Sequence, residues 1–118
     1  MHQITRNEGN LITVRASGKL TDADYDRLVP ACERLIEEMG SMRMLFLMED
    51  FHGWEPGAAW DDLKFSAGHA ESVERVAIVG EKRWQAWLAK IGSFFLPERV
   101  RYFELSDLAD AEQWIRAS

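Results

Sequence analysis

The chain has 118 residues, and 47% of them are hydrophobic, which is enough for one compact domain over residues 1–118 with a core of its own. The formal net charge at pH 7 is −6. This acidic balance argues against a nucleic-acid partner, because non-specific affinity for a phosphate backbone comes mainly from lysine and arginine.

The compartment is predicted from the cysteine count and the apolar runs. Cys32 is the single cysteine, so an intramolecular disulfide is impossible. The longest apolar run is far shorter than the roughly 20 residues of a membrane helix, and the amino end lacks the charged and then apolar pattern of a signal peptide. We therefore expect a cytoplasmic protein with no integral membrane segment.

Two strands at the amino end are predicted to form an antiparallel hairpin. The first spans residues 1–6, and the second spans residues 11–16, where Ile12, Val14 and Ala16 alternate with polar residues. Between the strands lies Gly9, which adopts a positive φ at low cost. The pattern predicts a hairpin at the edge of a sheet.

A long amphipathic helix is predicted to follow the hairpin. Thr21 is suited to cap its first turn, and apolar residues at helical spacing continue to Gly40, which ends it. Pro30 lies inside this stretch and lacks a backbone N–H. We therefore expect a kink at Pro30 or a break just before it.

The central strand is predicted from the apolar run that begins at Met42 and ends at Met48. A short, unbroken run of this kind is typical of a strand buried on both faces. Residues 49–54, with the sequence EDFHGW, are expected to form a loop at its carboxyl end. In open α/β sheets, ligands and partners usually bind at that end.

The rest of the chain predicts two further helix–strand units and a closing helix. These elements are a weaker helix over 58–70, a buried strand over 74–80, a helix carrying Trp84 and Trp87, a strand over 100–105, and a closing helix capped by Ser106. The crossovers are long enough for parallel pairing. The order predicts an α/β fold with a five-stranded mixed, mostly parallel sheet, an antiparallel N-terminal edge hairpin and about four helices.

Several short segments, taken in order, carry a resemblance to a known family. They are Gly53-Trp54, residues 60–65 (WDDLKF), residues 74–80 (ERVAIVG), Trp84 with Trp87-Leu88, residues 100–103 (VRYF) and residues 111–114 (AEQW). This set resembles the SpoIIAA-like family of small bacterial proteins over nearly the whole chain. Members resemble the STAS domains of anti-sigma factor antagonists and, more loosely, the CRAL-TRIO lipid-carrier fold, and both comparisons imply the sheet predicted above.

The resemblance does not extend to a phosphorylation site. Anti-sigma factor antagonists carry a phosphorylatable Ser or Thr, preceded by Asp, at the start of the helix after the central strand. In this chain that place reads Asp50-Phe51-His52-Gly53-Trp54 and has no hydroxyl group. A phosphorylation switch adds negative charge and acceptor oxygens at such a position, so we expect no kinase-controlled switch.

The acid–base constellation nearest the expected functional edge is formed by Glu49, Asp50 and His52. A carboxylate paired with an imidazole can transfer protons when burial adjusts both groups; alternatively, Asp50 caps the next helix and His52 is a solvated loop residue. No catalytic signature is present elsewhere, so we expect no enzyme activity. The histidines lie at no ligand spacing and no cofactor motif occurs, so we predict neither a metal nor a cofactor.

An aromatic group also lies near the end of the central strand. Trp54 and Trp60 flank Pro56-Gly57, and with their aromatic neighbours they either form an apolar pocket or exposed patch or close the rim of the sheet as a small second core. The candidate ligand-binding or partner-binding residues are Asp50, Phe51, His52, Trp54, Trp60, Phe94 and Phe95.

Three functions remain as hypotheses. The first is a non-catalytic interaction or regulatory module that binds a protein partner or itself, including as a homodimer. The second is a carrier of a small apolar or lipid-like ligand near the end of the central strand. The third is an enzyme that uses Asp50 and His52. Hydrophobic periodicity does not separate the first two, because a packed interior and a lined cavity both present apolar faces.

Overall fold

The computed structural model of the protein describes residues 2–6, 9–54, 70–81 and 99–117. These residues form β1 (His2–Arg6), β2 (Leu11–Leu20), α1 (Asp22–Met39), β3 (Met42–Trp54), β4 (Val73–Gly80), β5 (Val100–Glu104) and α2 (Leu108–Arg116). Short 3-10 helices at Ala70–Ser72 and Leu105–Asp107 precede β4 and α2. The helix predicted over 58–70, apart from Ala70, and the helix predicted around Trp84 and Trp87 lie outside the described residues.

The five strands form one mixed sheet in the order β1-β2-β3-β4-β5. β1 is antiparallel to β2, and the other neighbouring pairs are parallel. The register places one row of residues across the whole sheet: Ile4, Val14, Phe46, Ile78 and Tyr102. The predicted α/β architecture, with its mostly parallel sheet and antiparallel N-terminal hairpin, is confirmed.

The two described helices cover opposite faces of the sheet. α1 buries Tyr25, Leu28, Cys32 and Leu35 against the face that contains the Ile4 to Tyr102 row. α2 buries Ala111 and Ile115 against the other face, which supplies Leu11, Leu45, Leu47, Ala77, Val79 and Phe103. β3 and β4 therefore have both faces buried along much of their length, as their apolar runs predicted.

The predicted ends of α1 are confirmed by its capping contacts. Thr21 Oγ1 accepts a hydrogen bond from the Asp24 N–H at 3.2 Å, and Asp24 Oδ2 accepts one from the Thr21 N–H at 2.9 Å. This reciprocal capping box satisfies two donors that the first turn would otherwise leave free. Gly40, with φ of 83°, takes the left-handed conformation that ends the helix.

Two details of the helices differ from the sequence prediction. A break before Pro30 is wrong, since α1 continues through that residue as one element. Pro30 is exposed, whereas Leu28 and Cys32 are buried, so packing against the sheet offsets the lost hydrogen bond on the solvent side. The cap predicted at Ser106 is also wrong, because a 3-10 turn occupies Leu105–Asp107 and Asp107 precedes α2.

Candidate functional site

The carboxyl ends of β2 and β3 form the edge at which the sequence predicted a functional site. The prediction of a loop over residues 49–54 is wrong, because β3 continues to Trp54. The second strand also extends beyond its predicted end at Ala16, reaching Leu20, and the two extensions pair with each other. Backbone pairing along this second half of the strands outweighs the turn-like composition of the sequence.

This paired region is irregular. Ala16 lies opposite Met48, Gly18 opposite Phe51, and Lys19 opposite Gly53. β3 therefore uses one more residue than β2 at each of the two steps that separate these pairs. Two successive bulges of this kind bend the strand and change the directions of its side chains, and bulges of this kind are common beside active and binding sites.

The backbone of Asp50 is strained. Its φ is 52°, and among the described residues it alone combines a positive φ with a side chain. Gly18, in the same irregular stretch of β2, has φ of 64°, which costs glycine little. For aspartate the left-handed region is accessible at a cost of about 1 kcal/mol. The local structure of the edge therefore holds Asp50 in a conformation that a regular strand would avoid.

An exposed ion pair lies next to the bulges. Arg15 Nη2 is 2.9 Å from Glu49 Oε1, and Arg15 Nε donates to the same oxygen at 3.1 Å. The side chains are 57% and 46% exposed, so solvent screens the pair and it contributes little to stability. Leu47, two residues earlier on the same face, is buried with α2. Among the described residues, the apolar cover of this face thus ends at Glu49, where charged groups of both signs face solvent.

The N-terminus of α1 begins directly after β2, at the same edge. Helix N-termini commonly bind anions through free N–H groups and the helix dipole. Here Thr21 and Asp24 occupy the cap, and the first turn carries the carboxylates of Asp22 and Asp24. The edge therefore does not offer this helix end to a phosphate or a carboxylate.

The structure places the sequence-predicted site residues unequally. Asp50 lies in β3 and is exposed to solvent, whereas the proton-transfer hypothesis requires burial. The side chains of Phe51, His52 and Trp54, and the whole of Trp60, Phe94 and Phe95, lie outside the described part of the structure. Their roles in a pocket, a patch or proton transfer remain predictions.

Sequence reasoning did not identify Arg15 and Gly18 as members of this edge. Their involvement depends on the extended pairing of β2 with β3, and Arg15 and Glu49 are 34 residues apart in the chain. One local signal was available, because Arg15 alternates with the buried Val14 and Ala16 and must lie on the other face of the strand.

A second polar cluster lies at the opposite, amino-terminal edge of the parallel strands. Asn10 donates to Ser41 Oγ at 3.0 Å and also to Glu74, which accepts from Arg43 Nε at 3.4 Å. The hydrogen bond from Asn10 is the main interaction that holds the pKa of Glu74 below its usual range, and Arg43 and Ser41 lower it further. Arg43 Nη1 also donates to the Ile115 carbonyl at 3.0 Å. This cluster secures the end of α2 and is structural.

A buried hydroxyl group lies on the edge strand β5. Tyr102 Oη is shielded from solvent and, within the described residues, has no hydrogen-bond partner. Burial raises the pKa of Tyr102 to about 12, with smaller contributions from the negative charges of Glu104 and Glu81. The folded protein therefore disfavours the phenolate form.

The raised pKa of Tyr102 predicts alkaline sensitivity. Because the folded-state pKa lies above the usual value of 10.0, folding favours the protonated phenol. This contribution is fully present below pH 10 and is lost as the pH rises to about 12. We expect denaturant-unfolding midpoints of the wild type to fall over that interval and those of Tyr102→Phe to fall less. If the unfolding midpoints of the two proteins fall equally with pH, the buried phenol of Tyr102 is not the cause of the alkaline sensitivity.

Two features are absent from the described part of the chain. No group of three or more His, Cys, Asp or Glu residues there is placed to hold a metal ion. Neither α1 nor α2 combines the length and apolar character that crossing a membrane requires.

Comparisons with known proteins agree on one fold. The SpoIIAA-like family model matches residues 11–116. An uncharacterized protein with a SpoIIAA-like fold from Shewanella loihica PV-4 is 31% identical, with a TM-score of 0.73, and the match covers 98% of this chain and 92% of that one. The anti-sigma factor antagonist SpoIIAA in its unphosphorylated form has a TM-score of 0.70 at 8% identity, with 99% and 100% covered. No curated protein matches the sequence.

Proposed function

This chain belongs to the SpoIIAA-like family, and we propose that it is a non-catalytic interaction or regulatory module that binds a protein partner through the carboxyl edge of β2 and β3. The observation that carries the proposal is the pair of bulges in β3, with Asp50 held at a positive φ within the first of them. The fold, which is shared with an anti-sigma factor antagonist, supports the general class of function.

The strained backbone of Asp50 supports the proposal that this edge is a binding surface. Glycine would occupy that backbone conformation without the steric cost that aspartate bears. Residues held in sparsely populated conformations are concentrated at binding sites and active sites, where the strain presents a side chain or a backbone group in a required direction. An exposed carboxylate held in this way is suited to meet a group on a partner.

The charges at the edge indicate the kind of surface that fits it. Arg15 and Lys19 contribute positive charges, and Glu49 and Asp50 contribute negative charges, all on exposed side chains. A nucleic acid or another polyanion would meet repulsion from the carboxylates. A protein surface with complementary charges of both signs is favoured, because such patterns set orientation and exclude wrong partners.

We propose that the module works without a phosphorylation switch. β3 extends to Trp54, so residues 50–54 belong to a strand and not to the start of a helix. The first hydroxyl side chain after Trp54 is Ser66. The sequence therefore lacks an acceptor both within residues 50–54 and over the next 11 residues, 55–65.

The carrier and enzyme hypotheses remain predictions. The carrier hypothesis depends on the side chains of Trp54, Trp60, Phe94 and Phe95, which lie outside the described part of the structure. Organic extraction of the purified protein, followed by mass spectrometry, would test it directly. If a lipid or hydrophobic metabolite were recovered in stoichiometric amount, the carrier would replace the interaction module as the proposed function.

The substitution Asp50→Gly is expected to separate stability from function. Relief of the positive φ should raise the free energy of unfolding by about 0.5–1 kcal/mol, part of the gain being offset by the entropy of glycine. Loss of the carboxylate should weaken partner binding by about tenfold, as for one charge-assisted contact. Denaturant unfolding measures the first effect. Quantitative affinity capture from lysate, followed by titration with the purified partner, measures the second.

A charge-reversed variant provides a second test of the edge, and a substitution on α2 provides its control. Arg15→Glu combined with Glu49→Arg keeps the ion pair and the net charge but exchanges the two signs at the surface. We expect this variant to fold normally and to lose the partner. Glu112→Arg, on the exposed side of α2, should retain the partner. If Asp50→Gly and the reversed pair both bind as well as the wild type, the carboxyl edge is not the binding surface.

A further inference from the structure

Within the described part of the chain, β1 is an edge strand of the sheet. Among the described elements it pairs with β2 alone. The pairing is regular over five consecutive residues, from His2 opposite Ala16 to Arg6 opposite Ile12, with no register shift. A regular edge strand presents a row of outward N–H and C=O groups that is a template for strand addition.

The centre of β1 lacks the devices by which proteins usually block such pairing. Gln3, Ile4 and Thr5 are uncharged, and none of them is proline. Natural edge strands are commonly protected by charged side chains, prolines or bulges. The opposite edge strand, β5, does carry charges, with an exposed Arg101 at its second residue and Glu104 at its end. Since β1 also ends in a charged residue, Arg6, the two edges differ at their interior positions, where β5 carries Arg101 and β1 carries no charge.

We propose that β1 pairs with β1 of a second copy of this chain, joining the two sheets into one continuous sheet of ten strands. This inference goes beyond the proposed function, because it concerns the edge of the sheet remote from β5 and leaves the carboxyl edge of β2 and β3 free for a different partner. A two-fold axis perpendicular to the sheet generates antiparallel pairing of two identical strands.

The sequence of β1 is self-complementary in one register. With the axis at Ile4, that residue lies opposite Ile4 of the second copy, and Gln3 lies opposite Thr5 of the second copy. Ile4 packs against the core on the α1 face and belongs to the row that crosses all five strands. The two-fold axis therefore joins two apolar rows end to end. Gln3 and Thr5 are exposed, so on the other face neutral polar groups meet neutral polar groups.

The register can be tested by charge at two exposed positions. In Gln3→Lys combined with Thr5→Lys, each lysine at position 3 lies opposite a lysine at position 5 of the second copy, and the symmetry produces this repulsion twice. Position 3 also lies opposite Arg15 of its own chain, so denaturant unfolding of each variant must first show that its monomer is as stable as the wild type. In Gln3→Glu combined with Thr5→Lys, the same positions form two attractive pairs. Ser106→Lys combined with Gln113→Lys adds the same charge as the first variant at exposed positions outside β1.

Sedimentation analysis across a dilution series at pH 8 measures the dimer dissociation constant. We expect the wild type and the Ser106/Gln113 control to dimerise alike and the double lysine variant in β1 to dimerise about tenfold more weakly. The Glu/Lys variant should return to within about threefold of the wild type or bind more tightly. A monomeric wild type, a dimer that the lysines do not weaken, or a Glu/Lys variant as weak as the double lysine variant would overturn the proposal.

Hydrogen exchange on the unaltered protein gives a readout that does not depend on any substitution. We expect the amides of residues 2–6 that face away from β2 to exchange faster as the protein is diluted, while the amides of β4 do not change. Exchange in β1 that is independent of protein concentration, in a sample that sediments as a dimer, would place the interface elsewhere and overturn the proposal. If the protein does not dimerise through β1, the partner-binding results with Asp50→Gly still stand.

Discussion

Replacing Ile115 by alanine is expected to lower the free energy of unfolding by about 2–5 kcal/mol. Ile115 has no exposed surface and packs with residues from β2, β3 and β4, including Leu11, Leu45 and Ala77. These neighbours lie on hydrogen-bonded strands that cannot move together to fill the space. The substitution would therefore lose both the transfer free energy of the removed atoms and the contacts around the resulting cavity.

Denaturant unfolding monitored by tryptophan fluorescence and circular dichroism measures this loss. Leu105→Ala is the matched control, because Leu105 precedes α2 and is 41% exposed. We expect it to change the free energy of unfolding by no more than about 0.5 kcal/mol. A cost for Ile115→Ala no larger than that of the control would show that α2 does not cover the sheet in the described way.

The position of α2 also determines where the candidate site begins. The helix covers Leu45 and Leu47 on β3, and its apolar contacts end before Glu49. On the same strand the bulges and the strained Asp50 follow at once. The first part of β3 thus lies in the core, and the two residues that follow it, Glu49 and Asp50, are exposed and charged. The transition from core to candidate binding surface occurs within about two residues.

Local signals in the sequence predicted much of the fold. Thr21 and Gly40 marked the ends of α1 because capping depends on residues within one turn of the helix end. The apolar runs of β3 and β4 marked buried strands because both of their faces are covered. The family resemblance, carried by segments across nearly the whole chain, is confirmed by the SpoIIAA-like match over residues 11–116.

What the sequence did not predict depends on pairing between distant residues. Residues 49–54 have a turn-like composition, but they form a strand because residues 17–20 extend alongside them. The two bulges are set by that register, which no local pattern reveals. Asp50 could be chosen from its place at the end of an apolar run. Arg15 could not, because the partner that brings it to the site lies on another strand.

Arg43 is the residue on which the amino-terminal edge of the sheet depends. Its side chain is 18% exposed and lies between Glu74 and the end of α2. It donates to the carbonyls of Ile115 and Ala117, which are unsatisfied within the helix itself. A cation at a helix C-terminus also interacts favourably with the helix dipole. One side chain therefore joins α2, β3 and β4.

We expect Arg43→Met to lower the free energy of unfolding by about 2 kcal/mol, since it removes charge-assisted hydrogen bonds to one partly buried and one exposed carbonyl while keeping much of the apolar stem. The same variant should also change how much stability the protein loses as the pH falls. Because the pKa of Glu74 lies below its usual 4.5, the carboxylate contributes stability above pH 4.5 that is lost as the pH falls through the folded-state pKa. Without Arg43 this loss should be smaller. If the wild type and Arg43→Met lose equal stability at low pH, Arg43 does not lower the pKa of Glu74.

The two polar edges of the sheet predict opposite outcomes in one pair of variants. Arg43→Met should lower stability and leave partner binding intact once the protein is folded, because its contacts all lie at the amino-terminal edge. The reversed Arg15–Glu49 pair should retain stability, because that pair is exposed and screened, and should lose the partner. Thermal unfolding and partner titration on the same two samples measure both properties. If Arg43→Met loses the partner while the reversed pair keeps it, binding occurs at the amino-terminal edge, and the strain at Asp50 has a purely structural origin.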